Sequence, residues 1–287
     1  MLELIVSRDR KSNTEAVLDR IAAAVQSRRS GQILIVPEQF SHDAERALCE
    51  RCGDTASRYA EVLSFTRLAD RVFSVHGGVC RETLDDGGRF TALTLALEQA
   101  LPRLKVYAAA RTKPELIVQL AAQIEEFKNY GVTGADLLAA SGRFEGAFAQ
   151  KLQELGLILE SYDAVCAVGQ ADPASKLERL RDILWETDYA ADKTFYLDGF
   201  TDYTGLQMDI LRGLLELDRP VTATAACDGV RGGAAIFDAA RESARQLLRT
   251  AGEGGAKIHV LAEETGTNAA FLRDHLFTYG TASSTET

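Results

Sequence analysis

Short apolar runs that alternate with helical patterns constrain the fold of this 287-residue chain more than any other feature. Three runs cover residues 2–6, 32–36 and 61–64, and after a long interval two more cover residues 194–197 and 221–226. The apolar residues of 33–36 follow one another without alternation, which is typical of a parallel strand that is buried on both faces of a sheet. Strand–helix–strand units of this kind have right-handed crossovers. The pattern therefore predicts an α/β fold with a mostly parallel sheet.

Helices are predicted next to these strands because apolar residues recur there at spacings of three and four. The predicted ranges are 15–26, 42–51, 205–217 and 239–249, and a short last strand is predicted at 257–261. Short polar side chains cap helices by accepting hydrogen bonds from the first N–H groups. We therefore predict Ser12 or Asn13 as the cap of the first helix.

The stretch between the third and fourth runs has a different pattern. Its apolar residues keep helical spacing, as Leu116, Leu120, Ile124 and Phe127 do, and glycines and prolines interrupt it. This predicts four to six helices. We expect residues 1–65 and 191–280 to be two parts of one α/β domain, residues 66–190 an inserted helical lobe, and residues 281–287 a flexible tail in a fragment of a longer protein.

Composition excludes several classes of protein. Hydrophobic residues make up 46% of the chain and charged residues 26%, which are values of a globular protein and not of a disordered or fibrous one. No apolar run approaches the roughly 18 residues that a membrane span needs. Residues 1–10 lack the basic and apolar regions of a signal peptide. We therefore expect a cytoplasmic protein with no membrane partner.

The net charge of −10 is unevenly distributed. Residues 1–75 hold 11 basic and 11 acidic side chains, and ten of the basic ones are Arg, so residues 76–287 hold the other 21 basic and 31 acidic side chains. Arg is suited to bidentate contacts with phosphate. A neutral, Arg-rich front is thus compatible with an anion site on an acidic protein, although an ordinary mixed surface explains the same numbers.

The five cysteines do not form a recognisable metal motif. Cys49 and Cys52 are a single C-x-x-C pair with no second pair at metal spacing, and neither His42 nor His76 is placed to complete a zinc site. An odd number of cysteines in a chain without a signal peptide is typical of reduced, cytosolic thiols. We expect these residues to be structural and to bind no metal.

The turn after the first strand lies where a phosphate-binding loop would lie, because backbone N–H groups at a helix N-terminus attract anions. A Walker A motif reads G-x-x-x-x-G-K-[ST]. Here Ser7 and Ser12 stand at the glycine positions, Asn13 stands at the lysine position, and only Thr14 keeps its residue type. Without glycines the loop is restricted in conformation, and Asn13 brings no positive charge. We predict a degenerate nucleotide loop, with an ordinary strand–helix turn as the alternative.

Asp198, at the end of the fourth strand, stands at the Walker B position, where an aspartate holds Mg²⁺. A hydrolase needs a neighbouring Glu to position the attacking water, and Gly199 stands there instead. Asp198 could therefore contact a metal with no base beside it. A turn-forming Asp-Gly pair is the alternative.

Polar side chains follow the second and third strands, at the edge where open α/β sheets bind ligands. Gln39, Ser64, Thr66 and Arg67 offer an amide, two hydroxyls and a guanidinium to the phosphates of a nucleic acid, in contacts that carry no sequence information. Phe40 and Phe65 could stack on bases. Packing of both rings in the core is the alternative.

Three segments together resemble the start of the AddB subunit family of bacterial AddAB helicase–nucleases. They are residues 33–40 (ILIVPEQF), 62–69 (VLSFTRLA) and 196–200 (YLDGF), and their order and spacing agree with the family as far as residue 277. The V-P-E-Q and S-F-T-R-L-A sequences are fairly specific, whereas D-G-F alone would be weak.

The resemblance implies a RecA-like P-loop NTPase fold of the superfamily 1 helicase type with an inserted all-helical lobe. Residues 36–47 resemble helicase motif Ia and residues 64–72 resemble motif Ib, which contact single-stranded DNA in related helicases. The resemblance also implies a heterodimer with an AddA-type helicase–nuclease subunit that acts on single- and double-stranded DNA. It implies ATP and Mg²⁺ for the whole complex and no cofactor for this fragment. The family's iron–sulfur cluster and nuclease metal belong to a C-terminal region that this sequence lacks.

Three hypotheses follow. The leading one is a helicase-like region that does not hydrolyse ATP, has no catalytic residue of its own, and serves as a scaffold and a path for single-stranded DNA in the repair of double-strand breaks. The second is an active P-loop ATPase that uses Thr14 and Asp198. The third is a protein-interaction module whose helical lobe binds a partner and which makes no contact with DNA.

Overall fold

The computed structural model describes residues 1–53, 55–77, 83–109, 112–252 and 254–261, together with residues 271, 272 and 275. Six strands form one sheet in which every pairing is parallel, in the order β3-β2-β4-β5-β1-β6. The strands are β1 (Leu2–Ser7), β2 (Gln32–Ile35), β3 (Ala60–Leu63), β4 (Thr194–Leu197), β5 (Val221–Ala226) and β6 (Ala256–Val260). The predicted α/β fold with a parallel sheet is therefore confirmed, and it is consistent with a RecA-like α/β fold.

The described residues include ten α-helices. They are α1 (Arg10–Gln26), α2 (Ser41–Cys52), α3 (Phe65–His76), α4 (Asp86–Ala100), α5 (Pro114–Asn129), α6 (Gly134–Ser141), α7 (Gly146–Val168), α8 (Lys176–Glu186), α9 (Gly205–Glu216) and α10 (Asp238–Ala251). Six of them, α3 to α8, lie between β3 and β4 in the chain.

Burial of the strands explains why their sequences are mainly apolar. All four residues of β2 are buried, and β1 exposes only part of Glu3. On one face of the sheet, Ile5 and Leu34 pack against Val17 and Ile21 of α1 and against Leu48 of α2. Helix α10 packs against β1 and β5. Because helices cover these strands, most of their side chains lie in the interior.

The chain divides into two compact units. The first unit contains residues 1–68, 184–203 and 210–287 and includes the sheet, and the second contains residues 69–183 and 204–209. The second unit has its own apolar core, formed by buried side chains of α4, α5, α6 and α7, among them Leu93, Leu97, Leu120, Ile124 and Ile158.

The first helix begins earlier than the sequence predicts. The apolar pattern predicts a start at residue 15 with Ser12 or Asn13 as the cap, and this prediction is wrong: α1 starts at Arg10 and Asp9 is its N-cap. The Asp9 carboxylate accepts hydrogen bonds from the N–H groups of Lys11 and Ser12, both at 3.0 Å. Because a carboxylate can accept both bonds at once, it fixes the helix start one turn before the apolar pattern begins.

Candidate functional site

Two strands and one helix bring polar side chains together at the carboxyl edge of the sheet. Asp198 directly follows β4, Thr224 lies near the end of β5, and Thr14 lies in the second turn of α1. The Thr14 hydroxyl donates to Asp198 Oδ2 at 2.6 Å, and the Thr224 hydroxyl donates to Asp198 Oδ1 at 2.7 Å. The Asp198 residue is only 6% exposed. The fold thus joins the two residues that stand at the Walker A and Walker B positions of the sequence.

Asp9 holds the N-terminus of α1, where a phosphate would bind in an active loop. Besides its two backbone bonds, its carboxylate accepts a bond from the Ser12 hydroxyl at 2.5 Å. This hydroxyl has the largest effect on the Asp9 carboxyl, and together with the N–H groups of Ser12 and Lys11 it outweighs the opposing effect of burial and lowers the pKa below its ordinary value. A phosphate would have to displace this negative charge from the positive end of the helix.

Asn13 directs its side chain into the interior, toward backbone carbonyl oxygens. Its side chain is 1% exposed, and Nδ2 donates to the carbonyl oxygen of Ala225 at 3.1 Å and to that of Ser7 at 3.4 Å. The Ser7 hydroxyl in turn accepts a bond from the Asp9 N–H at 3.1 Å. Asn13 and Ser7 therefore tie the loop to the end of β5 through neutral bonds. These residues fit a nucleoside triphosphate poorly, because the loop contributes a carboxylate and no inward-facing lysine.

Arg10 contributes a cation that the sequence motifs did not single out. Its guanidinium carbon lies 4.0 Å from the centre of the Phe40 ring, a cation–π geometry. Its Nη2 lies close enough to Gly199 that a Cβ there would approach it to 2.7 Å. Gly199 has φ +81°, a conformation that favours glycine. Arg10 lies within the Walker-like stretch of the sequence, at a position that the motif leaves open, but its contacts depend on the approach of three loops.

An aromatic cluster lies beside Asp198. The Phe200 ring stacks on Tyr203 with centres 4.9 Å apart, and it meets Phe65 edge-on at 5.7 Å. Phe65 and Tyr203 are buried, and burial, followed by the charge of Asp198, raises the pKa of the Tyr203 phenol. Among the described residues the Tyr203 hydroxyl has no hydrogen-bond partner. Phe65 therefore packs in the interior, and Phe40 is half-buried under Arg10.

The predicted DNA-contact residues occupy the ends of the neighbouring strands β2 and β3. Gln39 lies in a short 3₁₀ turn after β2, and Gln39, Thr66 and Arg67 are exposed. Arg67 Nη1 forms an ion pair with Glu45 Oε1 at 2.8 Å. Ser64 is buried, and its hydroxyl accepts a bond from the Arg67 N–H at 3.2 Å at the start of α3. Three of the four side chains thus face solvent, and the fourth holds a helix end.

The described cysteines are free thiols: Cys49 is exposed, Cys52 half-buried, and Cys166 and Cys227 are buried. Within the described ranges, no group of three His, Cys, Asp or Glu side chains is arranged to hold a metal ion. None of the helices that the structure describes is both long and apolar enough to cross a bilayer. Cys80, the predicted tail at 281–287 and most of the family-like segment 272–277 lie outside the described residues.

The all-parallel sheet, with Thr14 and Asp198 joined at its carboxyl edge, is consistent with the class of RecA-like α/β proteins. A comparison with protein families then gives a match over residues 4–277 to the family described as "ADDB, N-terminal". The chain belongs to this family, and the resemblance stated from its sequence is confirmed.

Individual relatives agree with this assignment. Proteins named as the B subunit of an ATP-dependent helicase/deoxyribonuclease are similar to the chain, with 31% identity over 261 residues for Thermoanaerobacter pseudethanolicus and 28% over 263 residues for Acetivibrio thermocellus. These alignments cover 86% and 90% of this chain, and 23% of each relative. The Clostridium tetani protein of the same name is 32% identical over 208 residues, or 71% of this chain and 18% of the relative. The chain thus spans less than a quarter of the length of these relatives.

Proposed function

We propose that this chain is the N-terminal, helicase-like region of a subunit of an ATP-dependent helicase–nuclease that processes double-strand DNA breaks for recombinational repair. In this proposal the region is a scaffold and a path for single-stranded DNA, and it does not hydrolyse ATP. ATP-driven translocation is assigned to an AddA-type partner subunit, with which the whole protein forms a heterodimer. Family membership and the names of the relatives support the general role.

The observation that carries the ATPase-inactive part of the proposal is the occupation of the helix N-terminus by Asp9. A triphosphate binds such a terminus because its negative charge meets unpaired N–H groups. In this chain Asp9 already accepts bonds from two of these groups, and the Walker lysine position holds the inward-facing Asn13. Binding of ATP would cost the loss of these bonds and the repulsion of two anionic groups.

The DNA-path part of the proposal depends on exposed polar side chains at two neighbouring strand ends. Gln39, Thr66 and Arg67 can donate to phosphates from there. Breaking the Arg67–Glu45 ion pair costs little, because both side chains are 43% exposed and such pairs contribute roughly 0–1 kcal/mol. A phosphate can therefore compete with Glu45 for the guanidinium.

An active P-loop ATPase is the second candidate, and one observation favours it. Thr14 and Asp198 keep the residue types of an Mg²⁺ site, and their oxygens are 2.6 Å apart. Titration with a fluorescent ATP analogue and Mg²⁺ separates the two candidates. We expect no tight binding; tight binding that Asp198→Ala abolishes and the exposed control Asp202→Ala preserves would refute the scaffold proposal.

The DNA path is tested by titrating a single-stranded oligonucleotide at about 50 and about 200 mM salt. We expect affinity to fall with salt, and Arg67→Ala to weaken binding and reduce the slope of log affinity against log salt by about 0.7. Arg46→Ala is the matched control, because Arg46 is an exposed α2 residue with its own surface ion pair. Equal binding by the Arg67 and Arg46 variants would contradict the assignment.

The partner is tested by co-purification with the AddA-type subunit, with the full-length AddB-type protein as the positive control. Capture of this chain with unchanged DNA binding supports a scaffold role. Capture combined with no DNA binding at low salt would favour the third hypothesis, a protein-interaction module without DNA contact.

A further inference from the structure

A second basic surface lies in the second unit, on the connection between α4 and α5. Residues 99–114 contain four basic residues and no acidic one, in a chain whose net charge is −10. Three of the four, Arg103, Lys105 and Lys113, lie within the described ranges and are exposed. We call these three side chains the basic connection.

The backbone of this connection is anchored by a buried carboxylate. Glu154 of α7 is 2% exposed, and its two oxygens accept bonds from the N–H groups of Lys105, Val106 and Tyr107 at 2.9–3.1 Å. Burial alone would raise the pKa of Glu154, but these N–H groups outweigh it and lower the pKa. Leu104 is buried in the helical core beside them. Residues 104–107 are therefore held in place, so little ordering entropy is lost in this part of the connection when a ligand binds.

The anchoring leaves the basic side chains available. Glu154 directs its oxygens to backbone groups, and none of the three basic side chains forms an ion pair with the residues that the structure describes. Helix α5 begins directly after Lys113 with no side-chain cap, which adds the positive end of a helix dipole. Glu115 in the first turn of α5 opposes this in part.

The chemistry of the surface favours a phosphate backbone over a protein. Protein interfaces have an apolar core from which charged residues are depleted, whereas here Val106 is the one exposed large apolar side chain in the described part of the connection. Tyr107 is half-buried, so no aromatic ring of the described part of this segment is presented for stacking on a base. Charges without an apolar anchor match contacts to phosphates, which position a nucleic acid without reading its sequence.

We propose that Arg103, Lys105 and Lys113 bind the phosphodiester backbone of DNA, as a contact separate from Gln39, Thr66 and Arg67. The inference rests on the proposed DNA-handling function and extends it to the helical unit. Single-stranded and duplex DNA share this chemistry, and the experiment distinguishes them.

The test uses the 287-residue chain with Arg103→Gln, Lys105→Gln and Lys113→Gln combined. Fluorescence anisotropy with a labelled strand of about 20 nucleotides and a labelled duplex of about 20 base pairs is measured from about 50 to about 200 mM salt. The control combines Arg143→Gln, Arg231→Gln and Lys257→Gln, which removes the same charge from other exposed sites. One of the two DNA forms, the single strand or the duplex, should bind the triple variant roughly 10- to 100-fold more weakly than the unchanged chain at about 50 mM salt. For that form, the slope of log affinity against log salt should be smaller by about 2 to 3. The control should bind as the unchanged chain does.

Equal binding by the two triple variants would overturn the inference, whatever Arg67→Ala does. If Arg67→Ala loses DNA binding and the triple variant of the basic connection does not, the proposed DNA path is supported and the basic connection is refuted. Absence of DNA binding by the unchanged chain at low salt would refute both. Unchanged DNA binding with lost capture of the AddA-type subunit would identify an acidic protein surface as the ligand and would also overturn the inference. Circular dichroism of both triple variants confirms that they are folded.

Discussion

At the scale of single residues, Gly199 tests whether one added acidic side chain at the carboxyl edge would allow ATP hydrolysis. Gly199→Glu would place a water-positioning acid after Asp198, but φ at this position is +81° and Arg10 lies over it. We expect a loss of about 1–2 kcal/mol in unfolding free energy and no gain of ATP hydrolysis, measured by urea denaturation and phosphate release. Gly142→Glu is the control, since Gly142 is exposed and lacks a positive φ. ATP hydrolysis by the Gly199 variant would show that only the base was missing.

Asp9 is the second residue whose chemistry can be measured directly. Asp9→Asn keeps a capping side chain and removes the charge, so at neutral pH we expect a loss of roughly 0.5–1 kcal/mol. The folded pKa of Asp9 lies below its ordinary value of 3.8. The contribution of the charge is therefore present above pH 3.8 and disappears as pH falls through the folded pKa. The difference between the two proteins in urea denaturation should thus be smaller at about pH 3 than at about pH 7. A constant difference would show that the Asp9 charge does not stabilise α1.

At the scale of elements, Glu154 connects α7 to the segment after α4. Glu154→Gln would exchange one acceptor oxygen for an NH₂ group that faces backbone N–H groups. We expect a loss of about 2–3 kcal/mol in unfolding free energy, compared with little change for the exposed α4 control Glu98→Gln. Because the folded pKa of Glu154 is lowered, the difference should shrink as pH falls through that value, below 4.5. A variant as stable as its control would mean that the connection is held by Leu104 alone.

A buried lysine on α5 connects this helix to α7 and to the segment before α8. Lys128 of α5 lies 2.6 Å from Asp163 of α7 and 3.0 Å from Asp172, before the turn that leads to α8. Burial lowers the pKa of Lys128, but the two carboxylates outweigh it and raise the pKa above 10.5. Lys128→Met would leave Asp172 buried without this cation, so we expect a loss of about 3–5 kcal/mol at neutral pH. The stabilisation is present below pH 10.5 and is lost as pH rises through the folded pKa.

Urea denaturation monitored by circular dichroism measures the Lys128 effect. Lys151→Met is the matched control, because Lys151 is exposed and forms no ion pair with the described residues. Equal stability of the two Met variants would show that the ion pairs of Lys128 do not stabilise the folded protein.

At the scale of the whole molecule, net charge determines the pH at which the protein associates with itself. The chain carries −10 at pH 7 and has a pI near 5.0. Self-repulsion should disappear near the pI, so we expect light scattering at fixed protein concentration to be maximal at about pH 5 and low at about pH 7.5. A scattering maximum far from the pI would indicate that exposed apolar side chains dominate association.

Much of the fold follows from the sequence because burial of β1 to β5 leaves a direct apolar signature, whereas the edge strand β6 is mostly exposed. Strands β4 and β5 occur where the apolar runs predict them, and β1, β2, β3 and β6 agree to within one residue at each end. The start of α1 does not follow from the apolar pattern because Asp9, a cap outside that pattern, determines it. The family resemblance is also visible in the sequence, since it depends on residue identities at the ends of strands.

The sequence predicts which residues belong to the candidate site, but it does not predict which of them are in contact. Thr14 and Asp198 are 184 residues apart in the chain. Their hydrogen bond depends on the order of the strands, in which only β5 lies between β1 and β4. The inward direction of Asn13, the burial of Ser64 and the placement of Arg10 over Phe40 depend on which loops meet at the carboxyl edge.

Local patterns of apolar residues, charge and residue type determine the class of fold, the family and the loss of Walker residues, because these properties reside in short stretches of chain. Strand order, side-chain direction and the pairing of buried charges are long-range properties. Only the tertiary structure decides them, because they depend on packing between segments that no local pattern connects.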